Sequence, residues 1–169
     1  MNNIVQRDVF FDKLYEIAKK DSDVIVVTAD MGARSLDIFK KTIPHQLINV
    51  GIAEQNAILI ASGLTLTGKK VFVYAIASFI SLRCLEQIRV SNSIMNIPIT
   101  IIGMGPGFGY NSDGPTHHLI EDISVLRSFP NINIYNITDN IMAEKLVPIL
   151  YENQEVNYIR MEKDQFSPR

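Results

Sequence analysis

The sequence predicts an α/β protein: an open parallel sheet with helices on both faces, in flavodoxin-like layering, built as a single domain over residues 1–169. Three observations carry this. A continuous β-branched run at 24–27 and a short run rich in isoleucine at 98–102 have the composition of strands buried on both faces. Strand-like runs alternate with stretches of helical period along the whole chain, which is the pattern of a parallel sheet with crossover helices. No repeat, linker or low-complexity tract divides the 169 residues, and that length suits one domain with a real core.

Taken in order, residues 7–20 read as a helix because Phe10, Phe11, Leu14, Tyr15, Ile17 and Ala18 recur at helical spacing, with Asp8 as the expected N-cap. Residues 21–23 break it. The strand at 24–27 runs out into Thr28, Ala29, Asp30, Met31 and Gly32, and polar residues just past such a strand stand where open α/β sheets bind ligands. A short helix at 36–41 and a short strand at 47–50 follow. The helix expected at 52–66 carries Ile52, Ala53, Ala57, Ile58, Ile60 and Leu64 and is apolar nearly all round, as a helix inside a larger assembly reads. Next come a strand at 71–75, a helix at 83–95 with Leu85, Ile88 and Ile94 facing inward, and the strand at 98–102. The glycine-rich segment 103–118 reads as one irregular loop, and loops of that length in compact domains are usually functional. A helix at 121–128, a strand at 132–137, a helix at 140–151 bent at Pro148 and a strand at 156–160 complete the chain.

Composition narrows the function. A hydrophobic fraction of 47% and a mean hydropathy of +0.11 are slightly more apolar than one domain needs, so an oligomer is expected. A net charge of −2 and a pI near 5.9, with no basic run, give no footprint for nucleic acid. No apolar run is long enough to span a membrane and no leader-like segment opens the chain, so a cytoplasmic protein is expected. The lone Cys84 excludes an internal disulfide and a cysteine-rich metal cluster.

The chain is organised around Asn49-Val50-Gly51-Ile52-Ala53-Glu54-Gln55-Asn56. One carboxylate, Glu54, stands at the mouth of an apolar helix, and burial is expected for it. The helix N-terminus favours its ionised form and loss of water favours the neutral acid, so such a group can share a proton with a ligand nitrogen. Position alone favours a plainer role, a carboxylate capping its own helix. In the loop, the glycines at 103, 105, 107 and 109 miss the dinucleotide fingerprint, whose third glycine would fall at Phe108, and no P-loop is present. Adjacent His117 and His118 lack metal-ligand spacing, so no metal site is expected in this chain, and capping of the following helix remains open for them.

The opening motif, followed later by Asp113-Gly114-Pro115-Thr116-His117-His118 and then Leu126-Arg127-Ser128-Phe129-Pro130-Asn131, resembles the pyrimidine-binding domain of transketolase-like thiamine diphosphate enzymes. The resemblance covers residues 7–160. It implies that Glu54 bonds the cofactor's aminopyrimidine nitrogen and activates it, that Phe79 packs on the pyrimidine with Ile76 and Leu82 as apolar flanks, and that Asp30 approaches the cofactor. It further implies that Asp113 and His117 contact the donor sugar, with His117 catalytic, and that Arg160 and Arg7 grip a substrate phosphate. Full-length transketolases carry a histidine where this chain has Gly105, so a phosphorylated substrate is not implied by that position.

Those enzymes also bind Mg²⁺ and the diphosphate on a separate domain with a Gly-Asp-Gly motif, which occurs nowhere in this sequence. The resemblance therefore implies the small subunit of a split enzyme that transfers a two-carbon ketol unit. A diphosphate-binding partner would complete the thiamine diphosphate and Mg²⁺ sites, in an α2β2 heterotetramer. Two other readings stay open at this point: a small subunit of a 2-oxo acid decarboxylase or dehydrogenase, and a non-catalytic flavodoxin-like module.

Overall fold

The computed structural model describes residues 4–163; the extreme N-terminal residues, on which the absence of a leader was read, lie outside them. Six parallel strands form one sheet in the order β2-β1-β3-β4-β6-β5. They are β1 (Val24–Thr28), β2 (Leu47–Asn49), β3 (Lys70–Ile76), β4 (Thr100–Met104), β5 (Ile132–Asn136) and β6 (Val156–Met161). Helices α1 (Gln6–Ala18), α2 (Leu36–Thr42), α3 (Glu54–Leu66), α4 (Ala77–Ser81), α5 (Leu85–Gln87), α6 (Asp122–Leu126) and α7 (Asn140–Glu152) connect and cover them.

Successive strand residues point to opposite faces, and both faces are buried. Val24 and Val26 join Phe10, Phe11 and Leu14 of α1 and Val147 of α7 in one core. Their neighbours Ile25 and Val27 join Ala57, Ile58 and Ala61 of α3 and Ile88 in the other. That two-sided burial is why the strands read as unbroken apolar runs.

Several expectations need correction. Asp8 does not cap α1; Val5 holds that position without a side-chain bond, and Asp8 lies buried in the first turn. The helix expected at 83–95 is broken. Ala77–Ser81 already forms α4 directly after β3, and α5 widens into a π-helical segment, Ile88–Ile94. The wider turn rotates Ile94 out of the core, where it is 58% exposed. Segment 103–118 is less irregular than expected: β4 extends through Met104, Asn111–Asp113 forms a 3-10 turn, and Gly107 bridges Leu119. The helix expected at 140–151 is present as α7, with Pro148 inside it as expected.

The helix read as apolar all round is buried on one face only. Ala57, Ile58 and Ala61 are buried, whereas Leu59 and Leu66, seven residues apart and so on one side, are exposed, as is Ile52 just before the helix at 80%.

The chain leaves β1 toward β2 on one side and then crosses back over β1 to β3 on the other. That reversal opens a crevice at the carboxyl edge of the sheet, where open α/β sheets place ligands. Asp30, Glu54, Phe79 and the loop after β4 all follow the carboxyl ends of their strands.

Candidate active site

Asn49 builds the first wall of the crevice. Its Oδ1 accepts from the backbone N–H of Asp30 and of Gly51, both at 3.0 Å, and its Nδ2 donates to Asp30 Oδ1 at 3.1 Å. Both tied residues take left-handed backbone, φ 55° at Asp30 and 75° at Gly51, so the chain reverses sharply and presents Glu54 as the first residue of α3.

Glu54 is buried, 4% exposed, and Arg83 Nη1 donates to its Oε2 at 2.8 Å. Arg83 was not among the residues expected at the site. Its signal was its place four residues after Phe79, close enough to lay a long side chain across that ring: the guanidinium lies 4.1 Å from the ring centroid. Gln55 Nε2 holds the Arg83 carbonyl at 3.0 Å. Phe79 also meets His117 edge to face at 4.8 Å, and Tyr110 lies 6.0 Å from the same imidazole. Glu54, Arg83, Phe79 and His117 therefore form one continuous row, although they come from three separate segments. Ile76 and Leu82 are half-buried on either side of Phe79.

Neither histidine caps the next helix. His117 Nδ1 pairs with Thr116 Oγ1 at 3.1 Å, His118 Nε2 with the Asn111 carbonyl at 3.3 Å, and Glu121 stands at the cap position without a side-chain cap bond. Asp113 is exposed on the same loop.

The two expected phosphate-gripping arginines are engaged elsewhere. Arg160 donates from Nε to Asp122 Oδ2 and from Nη1 to Asn136 Oδ1, each at 2.6 Å. Asp122 is fully buried and also accepts from Tyr158 at 2.9 Å; burial, then the charge of Asp122, pushes the Tyr158 phenol well up and keeps it a donor. Arg7 is half-buried, its Nε 3.1 Å from Asp8 Oδ1.

Gly105 takes φ 71°, and a β-carbon there would collide with the edge of the Tyr110 ring. Tyr110, itself overlain by Lys163 Nζ at 4.4 Å, thus fills the place where a side chain at 105 would stand.

Below Glu54, Cys84 is buried and donates to the Phe79 carbonyl at 3.3 Å. Burial pushes its thiol up to about 12, with the Glu54 charge acting in the same direction and Arg83 opposing. Among the described residues no cluster of three or more His, Cys, Asp or Glu could hold a metal ion, and no helix is long and apolar enough to cross a membrane.

The fold and the site define an open α/β domain with a crevice at the carboxyl edge of its sheet, where such sheets place ligands. Residues 2–168 match the transketolase pyrimidine binding domain, and the chain belongs to that family. It is 41% identical over 161 residues to one of the subunits of the apulose-4-phosphate transketolase of Phocaeicola vulgatus, covering 95% of this chain and 52% of that protein. It is 32% identical to the 6-deoxy-6-sulfo-D-fructose transketolase subunit SqwH of a Clostridium species, covering 92% of this chain and 48% of that protein. A solved split-gene transketolase, described as an inactive beta4 tetramer, superposes with a TM-score of 0.85 at 27% identity, over 99% of this chain and 54% of that one. The chain spans about half the length of the relatives it matches.

Three outcomes test this geometry. Gly105→Ala is expected to lower unfolding stability in urea by about 1–3 kcal/mol, since it adds left-handed strain and displaces Tyr110. Arg160→Ala is expected to lower it by about 3–5 kcal/mol, because the buried Asp122 carboxylate loses its ion-pair partner and, among the described residues, keeps the Tyr158 hydroxyl alone. The Cys84 thiol should resist alkylation at pH 8 in the folded protein and react readily in denaturant, as measured by mass spectrometry.

Proposed function

We propose that this chain supplies the pyrimidine-binding half of the active site of a split, transketolase-like enzyme, in which Glu54 engages the aminopyrimidine of thiamine diphosphate. The observation that carries this reading is the row Glu54, Arg83, Phe79 and His117: a buried carboxylate joined through Arg83 to an aromatic ring, with an imidazole against the same ring. A ring that both stacks and bonds a carboxylate fits such a site. The bound cofactor would supply the electron sink that lets a carbon–carbon bond next to a ketose carbonyl break and re-form.

In this reading each residue has a limited task. Glu54, shielded from water, exchanges a proton with the ring nitrogen. Phe79, with Ile76 and Leu82, gives the ring an apolar platform. Asn49 fixes the turn before Glu54 and places Asp30 at the rim. Asp113, exposed on the loop, orients a substrate hydroxyl, and His117, on the same loop and against Phe79, moves a proton to or from the sugar. The reaction would be transfer of a two-carbon ketol unit.

Arg160 and Arg7 fit a phosphate grip less well than their sequence positions suggested. Two donor nitrogens of Arg160 already serve Asp122 and Asn136. Two relatives named for different sugars leave the reading at the level of a ketose.

The chain requires help under this reading. Without a metal-binding cluster among the described residues, the Mg²⁺ and diphosphate donors would come from a second subunit, in an α2β2 assembly. The exposed Ile52 before α3 and Leu59 and Leu66 along it, with Ile94 and Met95 at the end of the π segment, give apolar surface for such contacts. Relatives named as transketolase subunits support the same arrangement, which would work in the cytoplasm.

Glu54→Gln, which keeps shape and removes the titrating oxygen, is expected to lower turnover of the assembled enzyme by at least about a hundredfold, with assembly unchanged by size-exclusion chromatography. Turnover close to wild type would remove Glu54 from the mechanism.

A further inference from the structure

Arg83 makes both contacts that the reading above assigns to the aminopyrimidine. Its Nη1 donates to Glu54 Oε2 at 2.8 Å, and its guanidinium, a planar delocalised group, lies over the Phe79 ring at 4.1 Å. We propose that Arg83 is a displaceable stand-in for the cofactor: in the cofactor-free protein it occupies the aminopyrimidine subsite, and it swings out when thiamine diphosphate binds. The proposal rests on Glu54 and Phe79 being the cofactor contacts.

The asymmetry of the pair supports displacement. Glu54 is 4% exposed and anchored at the start of a helix, whereas the Arg83 side chain is 45% exposed. A buried carboxylate needs a partner in the absence of ligand, and an arginine already half in water loses little by leaving. Its backbone stays in place, because Gln55 holds its carbonyl. The side chain has somewhere to go: a hollow of about 460 Å³ lined by Leu82, Arg83, Leu85, Arg89 and Phe129 lies beside it. One oxygen of Glu54 and one face of Phe79 cannot serve a guanidinium and a pyrimidine together. Arg83 therefore lowers cofactor affinity, and it shields Glu54 until the cofactor replaces it.

The test is a calorimetric titration of thiamine diphosphate, at saturating Mg²⁺, into the co-purified two-subunit complex carrying wild-type, Arg83→Met or Arg83→Gln protein. Both variants are expected to bind about fivefold tighter or better, the size of a part-exposed ion pair that no longer has to be broken. Unchanged or weaker binding by variants that still co-purify would overturn the proposal and make Arg83 a supporting residue. Should neither variant assemble, the wild-type complex decides it: the Arg83 Nε–H resonance must shift on saturation with cofactor, and an unmoved resonance would overturn it. A wild-type complex that binds no thiamine diphosphate would bring down the underlying reading together with this proposal, a result distinct from binding with no difference between variants.

Discussion

A carboxylate taken out of water must be answered, and much of the crevice is arranged around that requirement at Glu54. Removing an ion from water costs several kcal/mol even after relaxation, so a charged Glu54 persists only with a partner of opposite charge or a good donor. Arg83 is that partner in this structure. The position of the pair follows from backbone geometry: left-handed Gly51 lets the chain turn from β2 into α3, and Asn49 ties that turn to the loop after β1. Phe79 is carried to the same place by β3, whose carboxyl end runs without a break into α4. A parallel sheet makes this convergence general, because its loops emerge from one edge.

The layering was legible from residues 24–27 and 98–102, since burial on both faces leaves strands few polar positions. Burial of Glu54 was legible as well, from one acidic residue set in an apolar helix. The break of the helix expected at 83–95 was not. A π-helical widening changes the hydrogen-bond register without altering composition, so Ile94 matched a helical period that the backbone does not follow there. Arg83 was hidden for a related reason. An arginine at the start of such a stretch reads as solvated surface, and only the short α4 turn shows that it lies over Phe79. Arg160 shows the opposite limit: its residue type matched a phosphate grip, but the buried Asp122 that engages it comes from another segment.

The surface explains the apolar excess of the composition. Half of α3 packs on the sheet while Ile52, Leu59 and Leu66 face outward, and the far end of the π segment leaves Ile94 and Met95 uncovered. Apolar side chains exposed in this number, on a domain whose own core is already filled on both faces of its sheet, are the form an assembly contact takes before its partner arrives. In the proposed function this joins the chemistry to the architecture: the carboxylate, aromatic face and imidazole would take a pyrimidine and a sugar, and, with no cluster among the described residues that could hold a metal ion, a partner would supply the rest.

The most direct measurement is a structure of this chain assembled with a diphosphate-binding subunit in the presence of thiamine diphosphate and Mg²⁺. The cofactor is expected at the junction of the two chains, with a Glu54 oxygen at hydrogen-bond distance from a pyrimidine nitrogen and the ring against Phe79. A cofactor bound away from Glu54, or held entirely by the partner with the Glu54 and Arg83 pair intact, would contradict the role given to Glu54.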